Sequence, residues 1–242
     1  DYAKGLEGVI ANESALSNVE GLDGRLSYRG YSIDELVGNC SFEETTYLLH
    51  FGKLPNKSEL AEFEKSLRRN REVPQGIIDF LKSAPKEANP MDVLRTGVSM
   101  LGLFDKRAGI GEPNQDANRE VAISLCAQTS VIVAYYHRVR QGLDLPPVRE
   151  DLSEAGHFLY LLTGEEPSKA ATKTLDIAYI LHADHGMNAS TFSARVTVAT
   201  LSDFYSAMTS AVGTLKGPLH GGANEGVIKM LQEIGSLDNV DA

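Results

Sequence analysis

Apolar residues recur at helical spacing over most of this chain and read as strand only near its start. Phe204, Ala207, Met208, Ala211, Val212 and Leu215 follow an i, i+3, i+4, i+7, i+8, i+11 series, the stripe of a helix with one buried face. Lys216-Gly217-Pro218 ends that stripe with a cation, a glycine suited to the position past a helix end, and a breaker. A new series, Val227, Ile228, Leu231 and Ile234, begins after His220-Gly221-Gly222. His220 is therefore predicted at or just before a helix N-terminus, on a bend of Gly and Pro. A histidine that only packs needs no such bend.

Read from the start, Val9-Ile10, Leu16 to Val19 and Arg25 to Tyr28 are short β segments, with Asp23-Gly24 as a hairpin turn. No strand is predicted after Tyr28. Ser32 with Glu35, and Ser41 with Glu44, have the spacing of capping boxes, and Gly52 closes the second helix. Helices are predicted over 57–70, 74–83 and 90–103, the last opened by Asn89-Pro90. Residues 105–118 form a polar loop. A long helix over 119–141 carries Val121, Leu125, Val131 and Tyr135 on one face, and helices over 151–163 and 168–185 follow. The fold class is mainly α, multi-helical, with a small N-terminal β element.

A length of 242 residues can bury a sizeable core. The net charge of −10 argues against a nucleic-acid partner, which wants basic surface. It also means that a site for an anion must be positive locally, against the mean field. No apolar run approaches ~20 residues, so no membrane span is expected. With no leader-like opening, the cytoplasm is the expected compartment. Cys40 and Cys126 lack motif spacing and read as buried thiols.

The chemistry concentrates between Leu181 and Leu231, where three of the six histidines lie. His182 and His185 are three apart, so on a continuing helix they share a face. With Asp184 they could form a metal site, and a metal-dependent hydrolase is one reading. His50, His137 and His157 read as satisfied core or surface residues. Glu43-Glu44 and the run Arg68 to Arg71 read as solvated faces. The stripe from Phe204 to Leu215 reads as core or interface, its small residues Ala207, Ser210 and Ala211 allowing close helix approach.

His182-Ala183-Asp184-His185-Gly186-Met187-Asn188-Ala189-Ser190-Thr191 resembles the HADHxxNAST signature of citrate synthases. Gly217-Pro218-Leu219-His220-Gly221-Gly222-Ala223-Asn224-Glu225 resembles their GPxHGGANE signature. The interval between His185 and His220 is similar to that of prokaryotic members. Gly5 to Val9, Tyr28 to Ile33 and Ser41 to Thr45 agree with the family as well.

The resemblance implies a large helical domain over 1–235, with 236–242 starting a linker towards a smaller domain. It implies condensation of acetyl-CoA with oxaloacetate to citrate and CoA, with His220 polarising the thioester carbonyl and His185 binding oxaloacetate. His182, one turn before His185, and Asn188 and Ser190, within two turns of it, are candidates to support that ring. No metal and no resident cofactor is expected, since the coenzyme A thioester is a substrate. A homodimer paired through the helix over 202–215 is expected. The alternatives are a 2-methylcitrate synthase acting on propionyl-CoA, or an inactive helical dimerisation module. The family's catalytic aspartate, another histidine and the substrate-binding arginines match nothing in these 242 residues, which by themselves are expected to be inactive.

Overall fold

The computed structural model describes residues 8–10, 12–107 and 115–236. The described residues form eleven helices and one three-stranded antiparallel sheet, and they divide into two compact units. Gly5 to Glu7 of the family-like opening, residues 108–114 of the loop predicted over 105–118, and residues 237–242 lie outside the described residues.

The first unit takes in the described residues of 1–73 and 115–188. Strand β1 (Ser17–Glu20) pairs with β2 (Arg25–Tyr28), Ser17 opposite Tyr28 and Glu20 opposite Arg25. Val9 and Ile10 join no strand and are exposed. A third strand, β3 (Tyr31–Ser32), follows β2, which the sequence did not predict. Two residues are too few to show alternation, and Ser32 carries a helix-capping signal as well. The β2–β3 turn is Arg29-Gly30, with φ of 51° and 90°. A two-residue hairpin of the I′ type requires two such values, and arginine adopts the first at a cost. The Arg29 guanidinium donates to the Leu49 carbonyl at 3.2 Å, placing a cation on the last turn of the second helix.

Both predicted capping boxes form, on α1 (Ile33–Asn39) and α2 (Phe42–Phe51). Gly52 ends α2 at φ 78°. A third box, Asn56 with Glu59, opens α3 (Lys57–Arg69). Helix α6 (Gln115–Gln141) starts before its apolar periodicity and buries Val121, Leu125, Val131 and Tyr135. It packs on α3 and on α7 (Glu154–Thr163), which in turn packs on α8 (Lys169–His182). Tyr28, Leu36, Leu48 and Ile180 form one core cluster, joining the sheet to α1, α2 and α8.

The core of this unit also holds charge that the sequence placed in solvent. Arg71 is 1% exposed and Glu43 is 4% exposed. Arg71 donates to Glu154 at 3.0 Å, and Ser130 donates to the other carboxylate oxygen. The Glu43 carboxylate accepts from the Glu154 backbone N–H at 2.7 Å, an anion at the first turn of α7. Linear periodicity cannot register partners that arrive from distant segments. His157 is likewise not the satisfied residue the sequence suggested. It is 0% exposed, and neither ring nitrogen has a hydrogen-bond partner among the described residues. Cys40 and Cys126 are free thiols, and burial pushes that of Cys126 up to about 12.

The second unit takes in the described residues of 74–114 and 189–242. It contains α4 (Gln75–Ser83), α5 (Pro90–Phe104), α9 (Ala189–Ala199), α10 (Phe204–Leu215) and α11 (Gly222–Ile234). Helix α10 lies against α9 and α5, with Tyr205, Ala207 and Val212 buried. Gly102 of α5 admits the Tyr205 side chain, and a Cβ there would meet Tyr205 Cβ at 3.1 Å. The Tyr205 hydroxyl donates to Asp105, which Arg107 also clamps. Burial opposes ionisation of Asp105, but these donors hold its carboxyl at about 2. No helix among the described residues is long and apolar enough to cross a membrane.

Candidate active site

Helix α8 stops at His182, so the two signature histidines do not share a helical face as the spacing predicted. Ala183 caps the helix, its N–H bonding to the Ile180 carbonyl, and Gly186 takes φ 91°. His185 sits in the resulting turn, exposed. Glycine at Gly186 and an aspartate that bonds its own backbone favour that turn over another helical residue. The Asp184 carboxylate accepts from the Gly186 N–H at 2.9 Å, closing a ring around His185.

The rings of the two histidines differ in what holds them. His182 Nδ1 lies 2.6 Å from the Ala178 carbonyl. A carbonyl has no proton to give, so Nδ1–H is the donor and Nε2 faces outward. The Asn188 amide donates to His185 Nε2 at 3.1 Å. In the neutral His185 ring the proton is then on Nδ1, which is free of protein partners among the described residues. Asn188 thus touches His185 directly, as a support for its ring.

Asp184 does not project from a helix at all. Its carboxylate is engaged by the Ser17 hydroxyl and the Gly186 N–H, and its own N–H donates to the Tyr28 hydroxyl at 3.3 Å. The trio His182, Asp184 and His185 is therefore not gathered as a ligand set. Among the described residues no group of three or more His, Cys, Asp or Glu is arranged to hold a metal ion.

His220 lies two residues before α11, whose N-cap is Gly221, as the apolar series predicted. Its N–H donates to the Gly217 carbonyl at 3.0 Å, as does that of Gly222 at 3.2 Å. Ser190, on the first turn of α9, has its hydroxyl 2.7 Å from His220 Nε2. Ser190 thus belongs to the His220 ring rather than to that of His185, beside which the sequence placed it. Lys216 anchors the start of the turn by donating to Asp92 at 2.6 Å and 2.7 Å. Gly221 is required by space: a Cβ there would stand 2.5 Å from the Leu215 carbonyl oxygen.

The family model described as "Citrate synthase, C-terminal domain" matches residues 5–242. The chain belongs to the citrate synthase family. It is 52% identical over 239 residues to citrate synthase 2 of Bacillus subtilis, covering 98% of this chain and 63% of that protein. It is 42% identical over 238 residues to a 2-methylcitrate synthase of Shewanella oneidensis, covering 98% of this chain and 62% of that one. The citrate synthase of Thermoplasma acidophilum, solved as a ternary complex with carboxymethyl coenzyme A and oxaloacetate, superposes with a TM-score of 0.90. That match is at 31% identity and covers 98% of this chain and 61% of the other. The chain thus spans somewhat under two thirds of the length of these citrate synthase relatives.

Sequence reasoning missed Ser17, Tyr28 and the pairing of Ser190 with His220. Ser17 and Tyr28 lie 167 and 156 residues from Asp184, and no local pattern signals such a contact. The family-like run Tyr28 to Ile33 was the one available hint.

Proposed function

We propose that the protein carrying this chain condenses acetyl-CoA with oxaloacetate to give citrate and CoA, working in the cytoplasm as a homodimer. His220 donates a hydrogen bond to the thioester carbonyl, and His185 donates one to oxaloacetate. The observation that carries this reading is the state of the two rings. Each has Nε2 engaged by a neighbour, Asn188 or Ser190, and Nδ1 without a protein partner among the described residues. A methyl group beside a thioester loses a proton only if charge developing on the carbonyl oxygen is met by a positioned donor. The T. acidophilum neighbour, bound to oxaloacetate and a coenzyme A derivative, supports the substrate assignment.

The reaction also needs a carboxylate base. Asp184 has its Oδ1 held by the Ser17 hydroxyl and the Gly186 N–H, a structural tie that argues against that role. Lys216, a cation near His220 in sequence, is neutralised by Asp92 and is no ready clamp for a substrate carboxylate. Residues 1–242 by themselves are accordingly proposed to lack turnover.

The test is thiol release from acetyl-CoA with oxaloacetate, on the longest natural polypeptide that contains this chain and on residues 1–242 alone. Absence of release by the longer form would overturn the reading. The Shewanella relative favours 2-methylcitrate synthesis as the second reading, and higher kcat/KM with propionyl-CoA would establish it. Sedimentation of that polypeptide at micromolar concentration tests the pairing, which a stable monomer would contradict.

A further inference from the structure

We propose that Tyr28 and Ser17, on the N-terminal hairpin, are positioning residues for His185: they lock the turn after α8 and so fix which ring nitrogen the histidine presents. Tyr28 is 0% exposed, and its hydroxyl meets both ends of the turn. It donates to the Ile180 carbonyl at 2.8 Å, inside the last turn of α8, and accepts from the Asp184 N–H. Ser17 is the cross-strand partner of Tyr28, so the two hydroxyls come from one rung of the sheet. Ser17 donates to the Asp184 carboxylate oxygen that also accepts from Gly186.

One carboxylate thus joins the hairpin to the ring of bonds that encloses His185. The linkage continues through Asn188, whose N–H bonds to the Gly186 carbonyl at 3.2 Å and whose amide reaches His185 Nε2. Without the hairpin hydroxyls, Asp184 is free to turn to water and the Gly186 geometry loosens. Asn188 then loses its register with the imidazole. An exposed imidazole without that donor does not hold its proton on Nδ1. Pairing of β2 with β1 on one side, and with β3 through the Arg29-Gly30 turn on the other, makes the sheet a stiff support for this purpose.

The inference rests on His185 as the oxaloacetate contact, and the experiment separates the two claims. The protein is residues 1–242, carrying either no substitution, Ser17→Ala with Tyr28→Phe, Ser17→Thr, or His185→Ala, each checked for a cooperative thermal transition. The first readout is the tautomer of the His185 ring by long-range proton–nitrogen NMR, which needs no substrate. The unsubstituted chain is expected to show the proton on Nδ1. The double variant is expected to lose that preference, and Ser17→Thr, which keeps a hydroxyl, to retain it. A folded double variant whose His185 tautomer is unchanged overturns the proposal. The second readout is oxaloacetate binding by the longest natural polypeptide that contains this chain, carrying the same substitutions, expected to weaken about tenfold in the double variant, the effect of one lost polar contact. If His185→Ala leaves oxaloacetate affinity unchanged, the assignment of His185 to that substrate fails, and the ring signal alone decides the role of Tyr28 and Ser17. If the longer polypeptide proves to make no citrate, the tautomer result stands regardless.

Discussion

The hydroxyl of Ser190 lies 2.7 Å from Nε2 of His220, across 30 residues of sequence. A serine on the first turn of α9 thereby contacts a histidine on the turn before α11, whose Nδ1 has no protein partner among the described residues. Ser190→Ala is expected to lower kcat roughly fivefold to tenfold with little change in oxaloacetate KM, the effect of one orienting hydrogen bond. His220→Ala is expected to abolish turnover and to spare oxaloacetate affinity more than His185→Ala does. Steady-state kinetics on the longer polypeptide check both, and the reverse pattern means the two histidines have exchanged roles.

The ion pair of Arg71 and Glu154 is enclosed, the side chains 1% and 3% exposed. Burial raises the Glu154 carboxyl and Arg71 opposes that shift. Removing only the guanidinium leaves a desolvated acid with Ser130 as its remaining side-chain donor. Arg71→Leu is expected to cost about 3–5 kcal/mol, and the double change with Glu154→Leu to cost less than the single one. Urea unfolding of the two variants checks this, and a double variant weaker than Arg71→Leu would contradict it.

His157 gives the protein an acid sensitivity with a definite window. Burial, aided by the charges of Arg71 and Arg149, lowers its folded pKa from 6.5 to about 3. Between those values the unfolded chain binds a proton that the folded chain refuses. The stabilisation is present above pH 6.5 and is lost as pH falls from there towards 3. The slope reaches up to about 1.4 kcal/mol per pH unit. His157→Leu is expected to flatten that part of the stability curve, as read from urea midpoints at several pH values. Parallel curves for the two proteins would show that His157 carries no such linkage.

Gly221 is expected to tolerate no side chain, although its φ of −64° is ordinary. The obstacle is the α10 carbonyl of Leu215, 2.5 Å from where a Cβ would stand, and that carbonyl is backbone. Gly221→Ala is expected to cost about 1–3 kcal/mol and to displace the His220 turn. Gly226 meets nothing within 4 Å, so Gly226→Ala serves as the control. Thermal unfolding of the two variants, with the His220–Ser190 contact followed by NMR, provides the check.

Local signals in this sequence determined the helices, most of their starts, and the bend that carries His220. The capping serines at Ser32 and Ser41, the αL glycine at Gly52 and the stripe from Phe204 to Leu215 act within a few residues, so short-range physics decides them. The two signatures identified the family for the same reason, being contiguous in sequence. Tertiary structure alone decided what those signatures look like in space. Helix α8 ends at His182, before His185, because Tyr28, Ser17 and Gly186 bind the backbone and side chain that a further helical turn would need. Glu43 and Arg71 are buried because Glu154 arrives from 111 and 83 residues away to receive them. Charge on a helix reads as solvent-facing until its partner is known, and a partner supplied by chain folding leaves no trace in local periodicity.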